Sequence, residues 1–431
     1  MEQLKKYFLF TERGTNLRTE IIAGATTFLS MMYIVIVNPT VFSVGGMDFG
    51  GVYIATIIAT VIGTLIMGAL ANYPIAIAPG LGINAYLVFT VMISQGISWQ
   101  QALGAAAVAS GIFTALSLTS FREVFINSIP LSLKKAIAAG IGLFIALIGF
   151  RSGHIVIESP ATMITLGDLH DPMLTLTVVG LIITMILVVL KVTGGIFIGM
   201  TITAVIAFFL GYWTIPESIF SMPGGFNETF MQLSFDGMPS LAMIIFTILL
   251  VTLFDTTGTM LGVGQQAGLI HDNKFPNLKS ALLADSIGSF AGAFAGTGPT
   301  SSFVESGTGV SAGGRTGFAS VVTAFLFLLL LFLQPIAAAI SAIPAVTAPA
   351  LILTGCFMVA DVANIDWQDY TEAFPAFLTM ALMPMTYSIT NGVGIGMITY
   401  VLLKLASGQV KDVHPLLAIM SMLFLIQMVY S

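Results

Sequence analysis

Ala76–Tyr86 (AIAPGLGINAY) and Thr297–Gly309 (TGPTSSFVESGTG) interrupt an otherwise continuous series of apolar segments, and they resemble each other. Each has an apolar or small run, a proline, then a polar residue. Irregular backbone is tolerated at membrane depth only where protein or a polar cavity satisfies its N–H and C=O groups. Paired interruptions therefore point to a binding site between two repeats, and a transporter is the leading reading.

Composition says that lipid is the solvent of this fold. The chain is 57% hydrophobic and 8% charged with a mean hydropathy of +1.00, whereas soluble domains carry about 25% charged residues. The net charge of −6 resides in loops, and no acidic or basic block suggests a nucleic-acid partner. The single cysteine, Cys356, excludes a disulfide within the chain and, in its apolar run, reads as a packing residue. Met1–Glu20 mixes Lys5, Lys6, Arg13 and Arg18 with acids and lacks an apolar core before Ile21, so it does not read as a cleavable signal peptide. The first span is expected to direct insertion.

Apolar windows of roughly 17–25 residues fall near 21–42, 51–71, 101–119, 131–150, 172–190 and 195–213, then, after the polar stretch Trp213–Met238, near 240–262, 280–296, 316–334, 344–361, 371–388 and 390–407. If both interrupted segments also cross, the N-terminus and the loops at 120–135, 191–194, 263–279, 314–316 and 404–412 share one side and hold every Lys and Arg except Arg151. If neither crosses, Arg122, Lys134, Lys135, Lys191, Lys274 and Lys279 move outside, against the positive-inside rule. About four extended residues at roughly 3.3 Å and ten helical ones at about 1.5 Å span about 28 Å, close to the hydrocarbon thickness.

The expectation is an all-α membrane protein of 14 transmembrane segments with a cytoplasmic N-terminus, segments 3 and 10 each being a short strand plus a half-helix. Ile129-Pro130 is answered by Ile343-Pro344, and Gly194-Gly195-Ile-Phe-Ile-Gly-Met by Asn391-Gly392-Val-Gly-Ile-Gly-Met. Seven crossings per half place the copies in opposite orientations, a 7+7 inverted repeat. The chain then divides into 1–20, a cytoplasmic N-terminal segment; 21–213, the first repeat; 214–238, an extracytoplasmic connector; 239–407, the second repeat; and 408–431, a C-terminal apolar segment whose run Pro415–Tyr430 has no counterpart and no assigned placement.

Ionisable residues inside a span cost roughly 2.5–3.5 kcal/mol on insertion scales and are functional candidates. Asp255 lies deep in its helix, with Thr252, Thr259 and Gly262 on the same face. Glu305 is expected at the start of the second half-helix, and Asn84 at the matching place in the first, where free N–H groups and positive dipole ends meet. Glu305 and Asp255 repel an anion but hold a neutral heterocycle rich in N–H donors, and Asn84 can donate or accept. For Glu305 and Asn84 a capping role is the structural alternative, and for Asp255 satisfaction by neighbouring threonines.

Asp285 reads as a packing contact, a gate or part of proton coupling, with Gly288, Gly292 and Gly296 spaced for close helix contact. Thr26, Thr27, Ser30 and Tyr33 form a polar strip that lines the cavity or bonds between helices. Ser302, in the extended segment, joins the candidate ligands, and Phe303, Tyr86 and Phe254 are candidates to stack on a flat ring or simply to pack. His154, His170, His271 and His414 fall in loops without metal-ligand spacing, and no nucleophile–base pair suggests an enzyme.

At these residues the chain resembles the AzgA-like purine nucleobase transporters, a branch of the nucleobase–cation symporter 2 (xanthine/uracil permease) family. The resemblance runs from FTERGTNLRTEIIAGATTFLSMMYIVIVNP through YPIAIAPGLGINAY, LFDTTGTMLGV, LLADSIGSFAGAFAGTGPTSSFVESGTGV and ITNGVGIGM to KDVHPLL. It implies uptake of hypoxanthine, guanine or adenine across the cell membrane by proton symport, with the proton as coupling ion and no other cofactor. It also implies a homodimer with a core domain (21–119 and 239–334) and a gate domain (120–213 and 335–407). By motif, Asn84, Asp255 and Glu305 look like the family's substrate ligands, and Asp255, Glu305 and Asp285 the proton-coupling candidates. Glu305-Ser306 stands where the xanthine and uric acid branch has Gln-Asn, which favours other purines. A same-fold transporter of uracil or another small solute is the nearest alternative, an anion exchanger or channel a more distant one.

Overall fold

The computed structural model describes residues 2–119, 128–269 and 277–430. Arg122, His271 and Lys274 lie outside the described residues, as does the side chain of Phe254. Among the described residues nine helices are long and apolar enough to cross a membrane, from Leu17–Val44 to Ile389–Ala406. Shorter apolar helices include Gly195–Phe209, and the C-terminal helix Pro415–Tyr430 packs against Ile389–Ala406. The helices begin and end within a few residues of the apolar windows, because those windows are bounded by caps such as Asp48, Ser98, Asp171, Asp369 and Ser388, whose side chains accept the first free N–H groups.

Two features depart from regular helices. The first apolar window is broken at Tyr33 into Leu17–Met31 and Ile34–Val44, with Pro39 inside the second piece. Outside the helical layers, β2 (Val156–Ser159) and β3 (Met163–Leu166) form an exposed hairpin that hydropathy did not predict.

The two interrupted segments meet as strands, β1 (Ile77–Pro79) and β4 (Thr300–Ser302), each followed by helix. They pair antiparallel, Ile77 opposite Ser302, Ala78 opposite Ser301 and Pro79 opposite Thr300. Phe303 N–H to Ala76 O and Gly80 N–H to Pro299 O, both 3.0 Å, extend the ladder at its ends. The outer edges are closed by hydroxyls. Thr64 accepts from Ile77 N–H and donates to Ile77 C=O at 2.9 Å each. Ser289 accepts from Thr300 N–H at 2.9 Å and donates to Thr300 C=O at 3.2 Å. The outward backbone groups of Ile77 and Thr300 are thus satisfied inside the protein, as buried backbone requires.

Beside those hydroxyls stand Gly63 and Gly288, where Phe49–Ile66 crosses Leu278–Ala295. A Cβ on Gly288 would lie 3.1 Å from the Gly63 Cα, a tight contact, so glycine eases the close approach of the two helices there. Gly292 and Gly296 also sit in close contacts.

The helices gather into two packing groups. In one, Leu17–Met31 packs on Gly317–Leu329, and Phe49–Ile66 and Trp99–Leu118 pack on Leu278–Ala295. In the other, Leu131–Ser152 packs on Pro344–Val359 and Tyr370–Met385, the latter on Ile389–Ala406, and Pro172–Val189 on Gly195–Phe209. Within this second group Lys404, 4% exposed, pairs with Glu372 at 2.9 Å, and Ser132 also bonds Glu372. Cys356 is exposed on Pro344–Val359 rather than packed in the interior, a correction to the apolar-run reading: with the neighbouring Phe357 it lies on an exposed side of the helix.

Candidate functional site

A cavity of about 380 Å³ lies between the packing groups at the ends of β1 and β4. From one group it takes Tyr33, Leu81, Gly82, Asp255, Thr259, Gln266, Ser301, Ser302, Phe303 and Glu305, and from the other Ala138, Thr354, Phe357 and Met358. Its size lies within the roughly 300–1,000 Å³ range of small-molecule pockets. Asp255 and Glu305 are half-buried there, and among the described residues the lining contains no Lys, Arg or His.

Glu305 occupies the residue before the half-helix Ser306–Ser311, but its side chain makes no capping bond. Its Oε1 instead accepts from the Tyr33 hydroxyl at 2.6 Å. Asp255, in Ala242–Gln266, accepts from Ser301 on β4. The Ser302 hydroxyl is buried without a partner among the described residues, and the Phe303 ring is 7% exposed at the wall. Two carboxylates, an unsatisfied hydroxyl and an aromatic face therefore converge on one space. Such a space accepts N–H donors and a flat ring, and it repels an anion.

The mouth lies where Gly258, Gly262 and Gln266 are exposed. Gln266 donates to Gly307 O and to Ser311 Oγ, which puts the mouth on the side of the N-terminal segment, since Arg13 and Glu20 bind the nearby Arg315 backbone. At the other end, Tyr86 Oη meets Thr390 Oγ1 at 2.7 Å, Thr390 reaches Thr247 at 3.2 Å, and Thr90 donates to Tyr387 O at 2.6 Å.

Four expected site residues stand elsewhere. Asn84 is fully buried outside the cavity; its Nδ2 donates to Asn38 Oδ1 at 2.8 Å, and Asn38 in turn donates to Thr56 and Thr297. The reason is register. Counting four residues on from the paired Ala78 and Ser301 leads to Gly82 in one segment and Glu305 in the other, so Gly82, not Asn84, is the positional counterpart. Tyr86, further along the same segment where it widens into π turns, is directed to Thr390. Thr26 bonds back to Ile22 O at 2.8 Å, Ser30 accepts from Thr308, and of the polar strip Tyr33 reaches the cavity. Asp285 lies behind β4, where it accepts from Thr256 and, at 3.0 Å, from Thr300. Thr252 is buried off the cavity, one turn before Asp255.

Sequence reasoning missed Thr354, Phe357, Met358 and Ala138, which reach the site only through tertiary packing. It also missed Thr64 and Ser289, although Ile62-Gly63-Thr64 and Ile287-Gly288-Ser289 form a matching pair ahead of the two strands.

Residues 18–395 match the Permease family of xanthine/uracil permeases. The chain is 46% identical over 428 residues to the guanine/hypoxanthine permease PbuO of Bacillus subtilis (strain 168), covering 98% of this chain and 99% of that one. It is 38% identical over 436 residues to the adenine permease AdeP of Escherichia coli (strain K12), covering 99% and 96%. Among solved structures, the transmembrane domain of the cyanobacterial bicarbonate transporter BicA superposes with a TM-score of 0.66 at 14% identity, over 88% of this chain and 97% of that one, a likeness of fold alone. The transporter SLC26A9 superposes with a TM-score of 0.63 at 10% identity, over 90% and 66%. A helical multi-pass fold of this kind, a polar cavity at two crossing strands and relatives aligned end to end make the chain a membrane transporter rather than an enzyme, and it belongs to the xanthine/uracil permease family.

Proposed function

We propose that the protein imports purine nucleobases (hypoxanthine, guanine or adenine) across the cell membrane by proton symport with alternating access. The observation that carries this reading is that Asp255 and Glu305 share one cavity, free of Lys, Arg and His among the described residues, beside the buried Ser302 hydroxyl and the Phe303 ring. The names of the aligned permeases supply the substrate class.

In this scheme the chain crosses fourteen times as a 7+7 inverted repeat with a cytoplasmic N-terminus, and works as a homodimer. The packing group that holds the crossing strands is the core domain, and the other is the gate domain. The cavity mouth then faces the cytoplasm, with the Tyr86–Thr390 contact closing the outer side. Two carboxylates that share one space without a facing cation repel each other, so one of Asp255 and Glu305 takes a proton when the cavity faces outward. The neutralised site admits the purine, whose N–H groups bond the carboxylates while its ring lies against Phe303. The core then moves against the gate, and the lower proton activity of the cytosol favours release. The two acids titrate as a pair, so the proton belongs to both. An anion exchanger, which the fold alone would permit, is disfavoured by two carboxylates without a facing cation.

Uptake of labelled hypoxanthine into cells or proteoliposomes tests the proposal. Saturable uptake that a protonophore abolishes supports it, as does competition by guanine and adenine but not by xanthine or uracil. Uptake driven equally well without a proton gradient would refute symport.

A further inference from the structure

Tyr33 has no task in that scheme, although it is fully buried and its hydroxyl sits between the two packing groups. It stands at the break between Leu17–Met31 and Ile34–Val44. Its hydroxyl donates to Glu305 Oε1 at 2.6 Å and lies 3.4 Å from Thr354 Oγ1 on Pro344–Val359. We infer that Tyr33 is a positioning residue that links the protonation of Glu305 to the contact between the core and the gate. This rests on the transport reading above.

The link follows from counting protons. A tyrosine hydroxyl has one proton to donate and lone pairs to accept. While Glu305 is ionised, that proton is committed to Oε1, and Thr354 can reach Tyr33 only as a donor. When Glu305 binds a proton, its carboxyl O–H donates to the Tyr33 oxygen. The Tyr33 proton then turns to Thr354 Oγ1, whose own proton turns to a carbonyl one helical turn back, a common partner for threonine. The direction of the whole chain reverses. The contact across the two groups changes from a long one into a bond in which Tyr33 is the donor, so proton binding at Glu305 is felt by the opposite wall of the cavity.

The other titratable group facing Glu305 is Asp255, across the cavity; among the described residues the remaining lining from Leu131–Ser152, Ala242–Gln266 and Pro344–Val359 is uncharged. Tyr33 is thus the hydroxyl through which the charge of Glu305 reaches Thr354.

The test is a pH titration of the purified protein in lipid, following the carboxylic C=O infrared band that Glu305→Gln removes. Tyr33→Phe loses the donor to the ionised form and the weaker acceptor of the protonated form, so the midpoint moves up by the difference, about half to one pH unit. Losing the acceptor of the protonated form in Thr354→Val moves it down, by roughly half a unit, the scale of a neutral hydrogen bond. Opposite shifts support the inference. Midpoints equal to the native one overturn it and leave Tyr33 as packing; should Tyr33→Phe not fold, an unchanged midpoint in Thr354→Val overturns it alone. Because the band is read without substrate, failure of purine uptake would sink the transport proposal while leaving this measurement decisive for the link.

Discussion

The two crossing segments share a backbone plan and differ in what their side chains do. Both are a strand followed by a short helix, with an outer edge bonded by the hydroxyl of Thr64 or Ser289. Past the crossing, the first segment presents Leu81 and Gly82 to the cavity and sends Asn84 and Tyr86 into closed polar contacts with Asn38 and Thr390. The second presents Ser301, Ser302, Phe303 and Glu305 to the same space. An architecture repeated twice has thus been made asymmetric: one copy supplies shape and closure, the other supplies chemistry.

Substitutions can break or sharpen that contrast. The largest effect is expected at Glu305, where Glu305→Gln lowers proton-driven purine uptake by about 100-fold, the scale of one lost charge-assisted hydrogen bond. Asp255→Asn lowers it by about tenfold, because Ser301 still anchors the amide. Unchanged transport in both variants would remove the chemical half of the contrast.

The shared plan is tested next. Thr64→Val and Ser289→Ala each leave an N–H and a C=O of a buried strand unpaired, a loss of about 1–3 kcal/mol in stability. Thermal unfolding in detergent should fall similarly for the two; a large loss in one and none in the other would deny that the segments are equivalent.

Asn84→Ala separates a ligand from a structural amide. It removes the donor to Asn38 but also an acceptor that is itself buried without a partner among the described residues. The net loss is about 1 kcal/mol of stability, with the KM for hypoxanthine unchanged. A tenfold rise in KM without loss of stability would put Asn84 back at the substrate.

The smallest effect is expected from Tyr86→Phe, which weakens the closed side by about 0.5–1.5 kcal/mol. The population shifts toward the opposite opening. In a Cys356→Ser background, labelling of Ser302→Cys by an impermeant thiol reagent added outside should rise about two- to tenfold. No rise would show that the Tyr86–Thr390 contact does not hold that side shut.

Much of this fold could be read from residues alone, because long apolar runs and their caps are local properties. Pro79 and Pro299 marked the interruptions for the same reason. The site was only half legible. Asp255 and Glu305 announced themselves as acids in apolar surroundings. Asn84 misled because neighbouring residues on a helix diverge by about 100°, so an error of two positions turns a side chain from the cavity to its back. The register that corrects it exists only once β1 meets β4. Thr354 and Phe357 could not be found from sequence, since nothing near them signals which cavity another helix group will bring to them.

The β1–β4 pair also bears on how the molecule can be divided. Each half of the chain owns one strand of this pair, and a lone strand in hydrocarbon has a bare edge with nothing to bond it. Neither half is therefore a smaller version of the whole. Expressed as separate polypeptides, they would be expected to survive only by finding each other, assembling the missing partner strand before either fragment is degraded.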